Sequence, residues 1–355
     1  MIFAQPSAKK SAAFKRRGPT MVHTVLRVIA ALLLMLPAFA AADPITLKLS
    51  FFSSDRSPAY LSAVKPFVDA INSDEDGLLR IKVYFSGTLS PIQSQQPQLV
   101  LDGTADIAFV VPGQNPELFS DDAAIELPGL FRTTREATLV HTRLVAQNSL
   151  RGYDKFFTIG AFGTEPETVH SRKSITSLAD LGGQKLRLNN KTAADAIARL
   201  GAAPKVLALN ETTDAIGNGT LDGAVVQSAQ LFDVGVARLT TNHYLLGVGA
   251  APLALLMNRK VFDLLPEQAK ALIRKYSGEW TAARYVETSA AINRETIARI
   301  KADPRRTVTH PTPADEAAAQ RVFDAVADEW AAVSTHNRDL LTLIRAEIAK
   351  VRSVQ

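Results

Sequence analysis

Asp102–Val110 reads DGTADIAFV, and Asn218–Val226 reads NGTLDGAVV, the same step without a gap. In each copy a helical stretch comes first. A glycine (Gly103, Gly219) then stands where a left-handed residue ends a helix, and an aspartate (Asp106, Asp222) marks the junction to a short apolar strand. One pattern used twice in a chain of 355 residues predicts two lobes of similar build, each carrying the same helix–turn–strand step.

The flanking sequence fits that reading. Ile45–Phe52 and Leu79–Phe85 alternate apolar and polar residues as strands do, and Ile107–Val111 is a short apolar strand. Ala59–Ile71 has helical spacing that Pro66 must kink or restart, and Pro97–Leu101 is helical. Around the second copy, Ser177 and Asp180 form an N-terminal capping pair, Gly182-Gly183 ends that turn, and Gln184–Asn189 is a strand. Strands separated by helices predict an α/β fold with largely parallel pairing. Between Pro266 and Ile300 there is no further proline, which predicts one very long helix bent at Gly278. Thr312-Pro313 opens another helix, and Asp339–Arg352 is an amphipathic closing helix. No low-complexity linker divides the chain, so the two lobes are expected to exchange segments.

The N-terminus reads separately. Residues 1–42 hold six of the 40 basic residues and none of the 35 acids, and Val28–Ala42 is an apolar run ending in small residues. This is the pattern of a cleaved secretory signal peptide, with cleavage after Ala40 or Ala42 and with Met21 as an alternative start. The run of 15 apolar residues, interrupted by Pro37, is shorter than the roughly 20 that span a bilayer. The remaining 313 residues carry 34 basic against 35 acidic side chains, a net charge of −1, whereas the whole chain carries +5. That removes the electrostatic basis for nucleic-acid binding and places the mature chain outside the cytoplasm.

The chemistry is defined first by what is missing. There is no cysteine, no HExxH, no GxSxG, no Walker loop and no GxGxxG, so no catalytic residue, cofactor or metal site is expected. The histidines lack metal-ligand spacing, and the acidic runs at 74–76 and 121–122 lack the series an EF-hand needs. What remains is recognition of a small molecule. In Lys185-Leu186-Arg187-Leu188, alternation puts Lys185 and Arg187 on one face. A guanidinium fork matches a carboxylate bidentately. On alternation alone, a solvated strand-edge arginine is the stronger reading of Arg187.

An ordered set of motifs changes that balance. LDGTADIAFV (Leu101–Val110), ELPGLF (Glu126–Phe131), SLADLGGQKLRL (Ser177–Leu188), LGAAP (Leu200–Pro204) and NGTLDG (Asn218–Gly223) together resemble the periplasmic solute-binding subunit of tripartite ATP-independent periplasmic (TRAP) transporters, the DctP-like family, over nearly all of 44–300. The resemblance implies two α/β lobes joined by crossing strands and a long helix, here 44–164 plus 251–290 and 165–250 plus 291–355. It implies a periplasmic protein that holds an organic acid in the cleft between the lobes, through an arginine matching Arg187, and hands it to membrane permease subunits. Many carboxylate-binding members carry a second arginine about twenty residues earlier, where this chain has Glu167 in GTEPET, and the polar run after the second DG pair is here Ala224-Val225-Val226-Gln227. A cleft less polar than that of a dicarboxylate binder follows. Near strand ends, where α/β ligand sites gather, Asn189, Gln227, Tyr244 and Gln114 are candidate hydrogen-bond partners, and Phe51 and Phe52 a candidate apolar wall. Two other classes remain open at this point: a ligand-sensing partner of a membrane receptor on the same fold, and a periplasmic enzyme, for which no nucleophile–base pair is visible.

Overall fold

The strands run β1 (Ile45–Ser50), β2 (Leu79–Tyr84), β3 (Ile107–Val110), β4 (Phe156–Gly163), β5 (Thr168–Ser171), β6 (Lys185–Leu188), β7 (Ala203–Val206), β8 (Gly223–Val226), β9 (Asn242–Tyr244), β10 (Pro252–Asn258) and β11 (Thr307–Thr309). The computed structural model describes Met1 and residues 43–353, so the expected signal peptide otherwise lies outside the described residues. Two sheets form, with orders β2-β1-β3-β10-β4 and β11-β9-β5-β8-β6-β7. In each, three parallel strands (β2-β1-β3 and β7-β6-β8) meet an antiparallel neighbour, β10 or β5. The expectation of largely parallel pairing is thereby corrected to mixed sheets. The antiparallel members are the strands that cross between the sheets, and a crossing strand enters the far sheet from the opposite end.

Helices α1 (Lys65–Asn72), α2 (Gln96–Leu101), α3 (Thr134–Ala146), α4 (Lys191–Arg199), α5 (Thr212–Gly217), α6 (Arg259–Leu264), α7 (Glu267–Lys275), α8 (Glu279–Ala302), α9 (Pro313–Ala332) and α10 (Thr335–Arg352) cover the sheets. A π-helical turn, Tyr60–Val64, runs straight into α1, and its wider bonds, Lys65 N to Tyr60 O, accommodate the N–H that Pro66 lacks in the first turn of α1. Both central strands are buried on two faces, which is why they read as unbroken apolar runs. Ile107 and Phe109 of β3 enter one core cluster, and Ala108 and Val110 the other. Val225 of β8 likewise faces away from Ala224 and Val226.

Three segments join the lobes. Residues 164–167 carry the chain from β4 to β5, and 245–251 bring it back from β9 to β10. They pair with each other: Thr164 N donates to Ala251 O (3.1 Å), Glu167 N to Gly249 O (2.8 Å) and Val248 N to Glu167 O (2.9 Å). The third is α8, whose 24 residues span about 36 Å. It starts on the first sheet, where Thr281 Oγ1 donates to Ile159 O (3.1 Å), and ends with Ile300 in the core of the second. The single bent helix expected over 266–300 is in fact two helices. Gly278, at φ +61°, turns its N–H to Ile159 O (2.8 Å) and breaks the ladder between α7 and α8. Near the C-terminus α9 places Ala319, Phe323 and Val326 in the second sheet's core, whereas α10 places Leu340, Leu341, Ile344 and Ile348 in the first sheet's. The expected caps are present: Thr312 accepts from Asp315 N (3.1 Å), and Asp180 Oδ2 accepts from Thr176 N and Ser177 N.

Candidate functional site

The strand ends of the two sheets face one another across a cavity of about 580 Å³. Five of the seven candidate residues line it: Arg187, Asn189, Gln227, Gln114 and Phe52. The other two do not. Phe51 is fully buried behind Phe52: past the end of β1 the two rings stack on the same side, 5.6 Å apart, and Phe51 is the inner one, 5.4 Å from Phe109. Tyr244 is fully buried under the second sheet, where its hydroxyl donates to Asp315 Oδ2 (3.2 Å) on α9.

Arg187 sits on β6 between β7 and β8 and is 1% exposed, so it is not a solvated edge residue. Its Nε donates to Leu207 O (2.9 Å), Nη2 to Asn189 Oδ1 (3.1 Å) and Nη1 to Val225 O (3.5 Å). A guanidinium has five N–H groups, so one on each Nη remains unused, the pair that a carboxylate accepts in parallel. Asn189 Oδ1 also accepts from Gln114 Nε2 of the opposite lobe (3.5 Å), a contact across the cleft. Gln114 is placed by the turn Pro112–Gln114, in which Gly113 packs closely on Glu126: a Cβ there would meet Glu126 Oε1 at 2.2 Å, so the carboxyl would have to move. Glu126 is wholly buried, and burial pushes its carboxyl up to about 8, with the Asp122 and Glu167 charges adding to the effect.

Glu167 completes the polar wall. It is 6% exposed and lines the cavity, and no side-chain hydrogen bond or ion pair engages its carboxyl among the described residues. Burial pushes that carboxyl up to about 7, against the pull of the Arg187 charge. The facing wall carries an apolar patch, Phe52, Phe109, Val111 and Leu253, beside Gln114 and a few serines. Phe109 and Val111 were not among the sequence candidates. The period-two alternation of β3 groups them with Ile107 on one face, but nothing in it says that this face ends in the cleft. Gln230 was missed as well. It is the third residue of a short turn after β8, as Gln114 is after β3, a correspondence lying just beyond the nine repeated residues.

Two histidines lie outside the cleft. His170 Nδ1 and His243 Nδ1 are 2.9 Å apart beneath the second sheet. Burial holds His170 down to about 3 and His243 down to about 4, so the pair is neutral at ordinary pH.

Residues 49–333 match the family model DctP, bacterial extracellular solute-binding protein, family 7. The C4-dicarboxylate-binding periplasmic protein DctP of Rhodobacter capsulatus is 26% identical over 319 residues, covering 85% of this chain and 91% of that protein. The crystal structure of a marine metagenome TRAP solute-binding protein specific for aromatic acid ligands, in complex with metahydroxyphenylacetate, has a TM-score of 0.79 at 21% identity, over 86% of this chain and 99% of that one. A TRAP solute-binding protein from Rhodoferax ferrireducens in complex with copurified benzoate has a TM-score of 0.76 at 23% identity, over 87% and 99%. The fold of these structures is the two-lobed one described above. The chain belongs to the bacterial extracellular solute-binding proteins of family 7, the DctP family.

Proposed function

We propose that this protein works in the periplasm, where it captures a small organic acid between its lobes and delivers it to the membrane subunits of a TRAP permease. The carboxylate lies on Arg187, with Asn189, Gln227 and Gln114 as hydrogen-bonding neighbours and Phe52 against the body of the ligand. The observation that carries this reading is the buried Arg187 guanidinium, fixed by its own lobe and left with one N–H on each terminal nitrogen at the cavity. The relatives support the ligand class: one is named for C4-dicarboxylates, and two similar structures hold aromatic acids. The lobes in this reading are 44–164 with 251–290 and 165–250 with 291–355, changed in one respect: α10, expected in the second lobe, packs in the first lobe's core and is counted there.

The test is thermal melting of the purified protein against mono- and dicarboxylates, keto acids, sugar acids and amino acids. A ligand at about a hundred times its dissociation constant adds about 2.7 kcal/mol of stability, a readable rise in Tm. The Arg187→Ala variant is expected to lose about 10- to 100-fold in affinity, the worth of a hydrogen bond to a charged group. Affinity kept in that variant would overturn the anchor. Unchanged uptake of the tightest ligand after deletion of the gene would overturn the transport role.

A further inference from the structure

The polar wall contains a group that capture of a carboxylate does not use. Glu167 is buried at the cavity, and no side chain or backbone N–H donates to its carboxyl among the described residues. It cannot be relieved by a small backbone shift, because its own N–H and C=O are both fixed to the returning segment, at Gly249 O (2.8 Å) and Val248 N (2.9 Å). Its oxygens keep surface toward the cavity, so their donor must come from what fills the cavity, and a ligand that displaces water there without supplying a donor leaves a buried acceptor unpaired, which is expensive.

The charges make the point sharper. Arg187 is the one cation among the described residues that line the cavity, and Asp233 stands at the rim. Behind Glu167 lie further acids, Glu126 and Asp122. An acid whose carboxylate occupies Arg187 therefore brings a second anion toward a carboxyl that already lacks a donor. A ligand with a donor of its own satisfies both walls at once.

Resting on the acid-capture reading above, we propose that the ligand of this cleft carries a hydrogen-bond donor, an ammonium or a hydroxyl group, and that Glu167 is the residue that selects for it. Sites built to hydrogen-bond a substrate group discriminate strongly against analogues that lack it, because the protein's polar group is then left unpaired.

Calorimetric titration of the purified protein with matched acids tests this. The series are phenylalanine, 3-phenyllactate and 3-phenylpropanoate; mandelate and phenylacetate; 3-hydroxyphenylacetate and phenylacetate; and alanine, lactate and propanoate. In at least one series the donor-bearing acid is expected to bind tenfold or more tightly than its donor-free analogue. In Glu167→Leu that ratio is expected to fall below threefold. Glu167→Gln, which keeps an acceptor oxygen but no charge, preserves the ratio if the donor is a hydroxyl and loses it if the donor is an ammonium. Melting curves show that each variant is folded, and Glu167→Ala, which also removes the acceptor, carries the same test if the leucine variant is not. Equal binding within threefold across every series overturns the proposal, as does a ratio that survives Glu167→Leu, and either result leaves acid capture standing. Failure of every acid to bind the wild-type protein overturns the capture reading itself, and this one with it.

Discussion

The first lobe's β1–β3 unit and the second lobe's β6–β8 unit share one set of hydrogen bonds and present opposite chemistry to the cleft. Lys48 N donates to Asp106 Oδ2 (2.7 Å), as Lys185 N does to Asp222 Oδ2 (3.0 Å). Asp106 N donates back to Lys48 O (2.9 Å), as Asp222 N does to Lys185 O (2.7 Å). Thr104 N to Asp102 Oδ1 and Thr220 N to Asn218 Oδ1 are both 2.9 Å. Counting outward from the lysines sets Ser50 against Arg187 and Phe52 against Asn189. Counting from the aspartates sets Val111 against Gln227. The shared bonds lie at the entry ends of the strands and the differences lie at their exit ends, where α/β folds bind ligands. A scaffold that settles its own backbone at one end leaves the other free to carry phenylalanine and valine beside Gln114 in one lobe, and arginine, asparagine and glutamine in the other.

The largest effect that divides the two units is expected at their aspartates. Asp106 accepts from one backbone N–H, whereas Asp222 accepts from Lys185 N and also from Lys173 Nζ (2.8 Å), with Arg172 Nη2 at 3.5 Å. Burial pushes the Asp222 carboxyl up, but the bonds and charges from Lys173, Lys185 and Arg172 outweigh it and hold the pKa below its ordinary value. Replacement of Asp222 by alanine should cost about 3 kcal/mol, and of Asp106 about 1 kcal/mol, in urea unfolding. The Asp222 contribution is present above the ordinary carboxylate range and is lost as pH falls below it, so the two variants should converge in acid. Equal losses at neutral pH would break the comparison.

A smaller effect separates the walls by ligand. Phe52 stands 5.6 Å from Phe51 and 5.8 Å from Phe109, ring centre to ring centre, and forms the apolar face opposite Arg187. Phe52→Ala should weaken an aromatic acid by about 1–2 kcal/mol, the value of an apolar side chain withdrawn from contact. A short aliphatic acid held mainly through Arg187 should lose much less. Calorimetry on both ligands reads the difference, and equal losses would show that Phe52 shapes the cleft rather than contacting the ligand body.

How much of this was legible follows from where each signal lies. The repeated step carries its own turn chemistry, so the two lobes and their Gly–Asp junctions are written locally. The direction of the crossing strands is not, because a short apolar run reads alike beside a parallel or an antiparallel partner. The split between α7 and α8 hangs on the left-handed Gly278, and a single glycine is as consistent with a bend as with a break. Within the site, Arg187 and Asn189 were reachable because alternation puts them on one face, Arg187 on β6 and Asn189 just past its end. Phe51 and Phe52 were not separable, since both lie past the end of β1, where alternation stops and their rings stack on one side. Tyr244 is claimed by Asp315, 71 residues away, and no local pattern announces that bond. Glu167 lies in a crossing segment beside Pro166, outside any repeat, and its importance comes from burial and missing partners, which are tertiary facts.

The smallest effect tests the identity of the two steps most directly. Gly103 and Gly219 have φ of +79° and +81°, a region that side chains with a Cβ adopt at a cost. A Cβ at Gly103 would meet nothing within 4 Å, and one at Gly219 would meet only Arg172, Nη2 at 3.6 Å and Nη1 at 3.9 Å, ordinary contacts. Space therefore does not distinguish the positions, and the cost of alanine at either is backbone strain alone, about 1 kcal/mol. Urea unfolding should give equal losses at the two sites. Asparagine, which tolerates the left-handed region, should recover part of each loss. The two turns share no partner, so the double alanine variant should lose the sum of the single losses. A difference between the single variants of more than about 0.5 kcal/mol, beyond the ordinary scatter of such measurements, would mean that one turn is held by something its twin lacks. Arg172 is then the first side chain to remove, because it is the only one within 4 Å of either added methyl group.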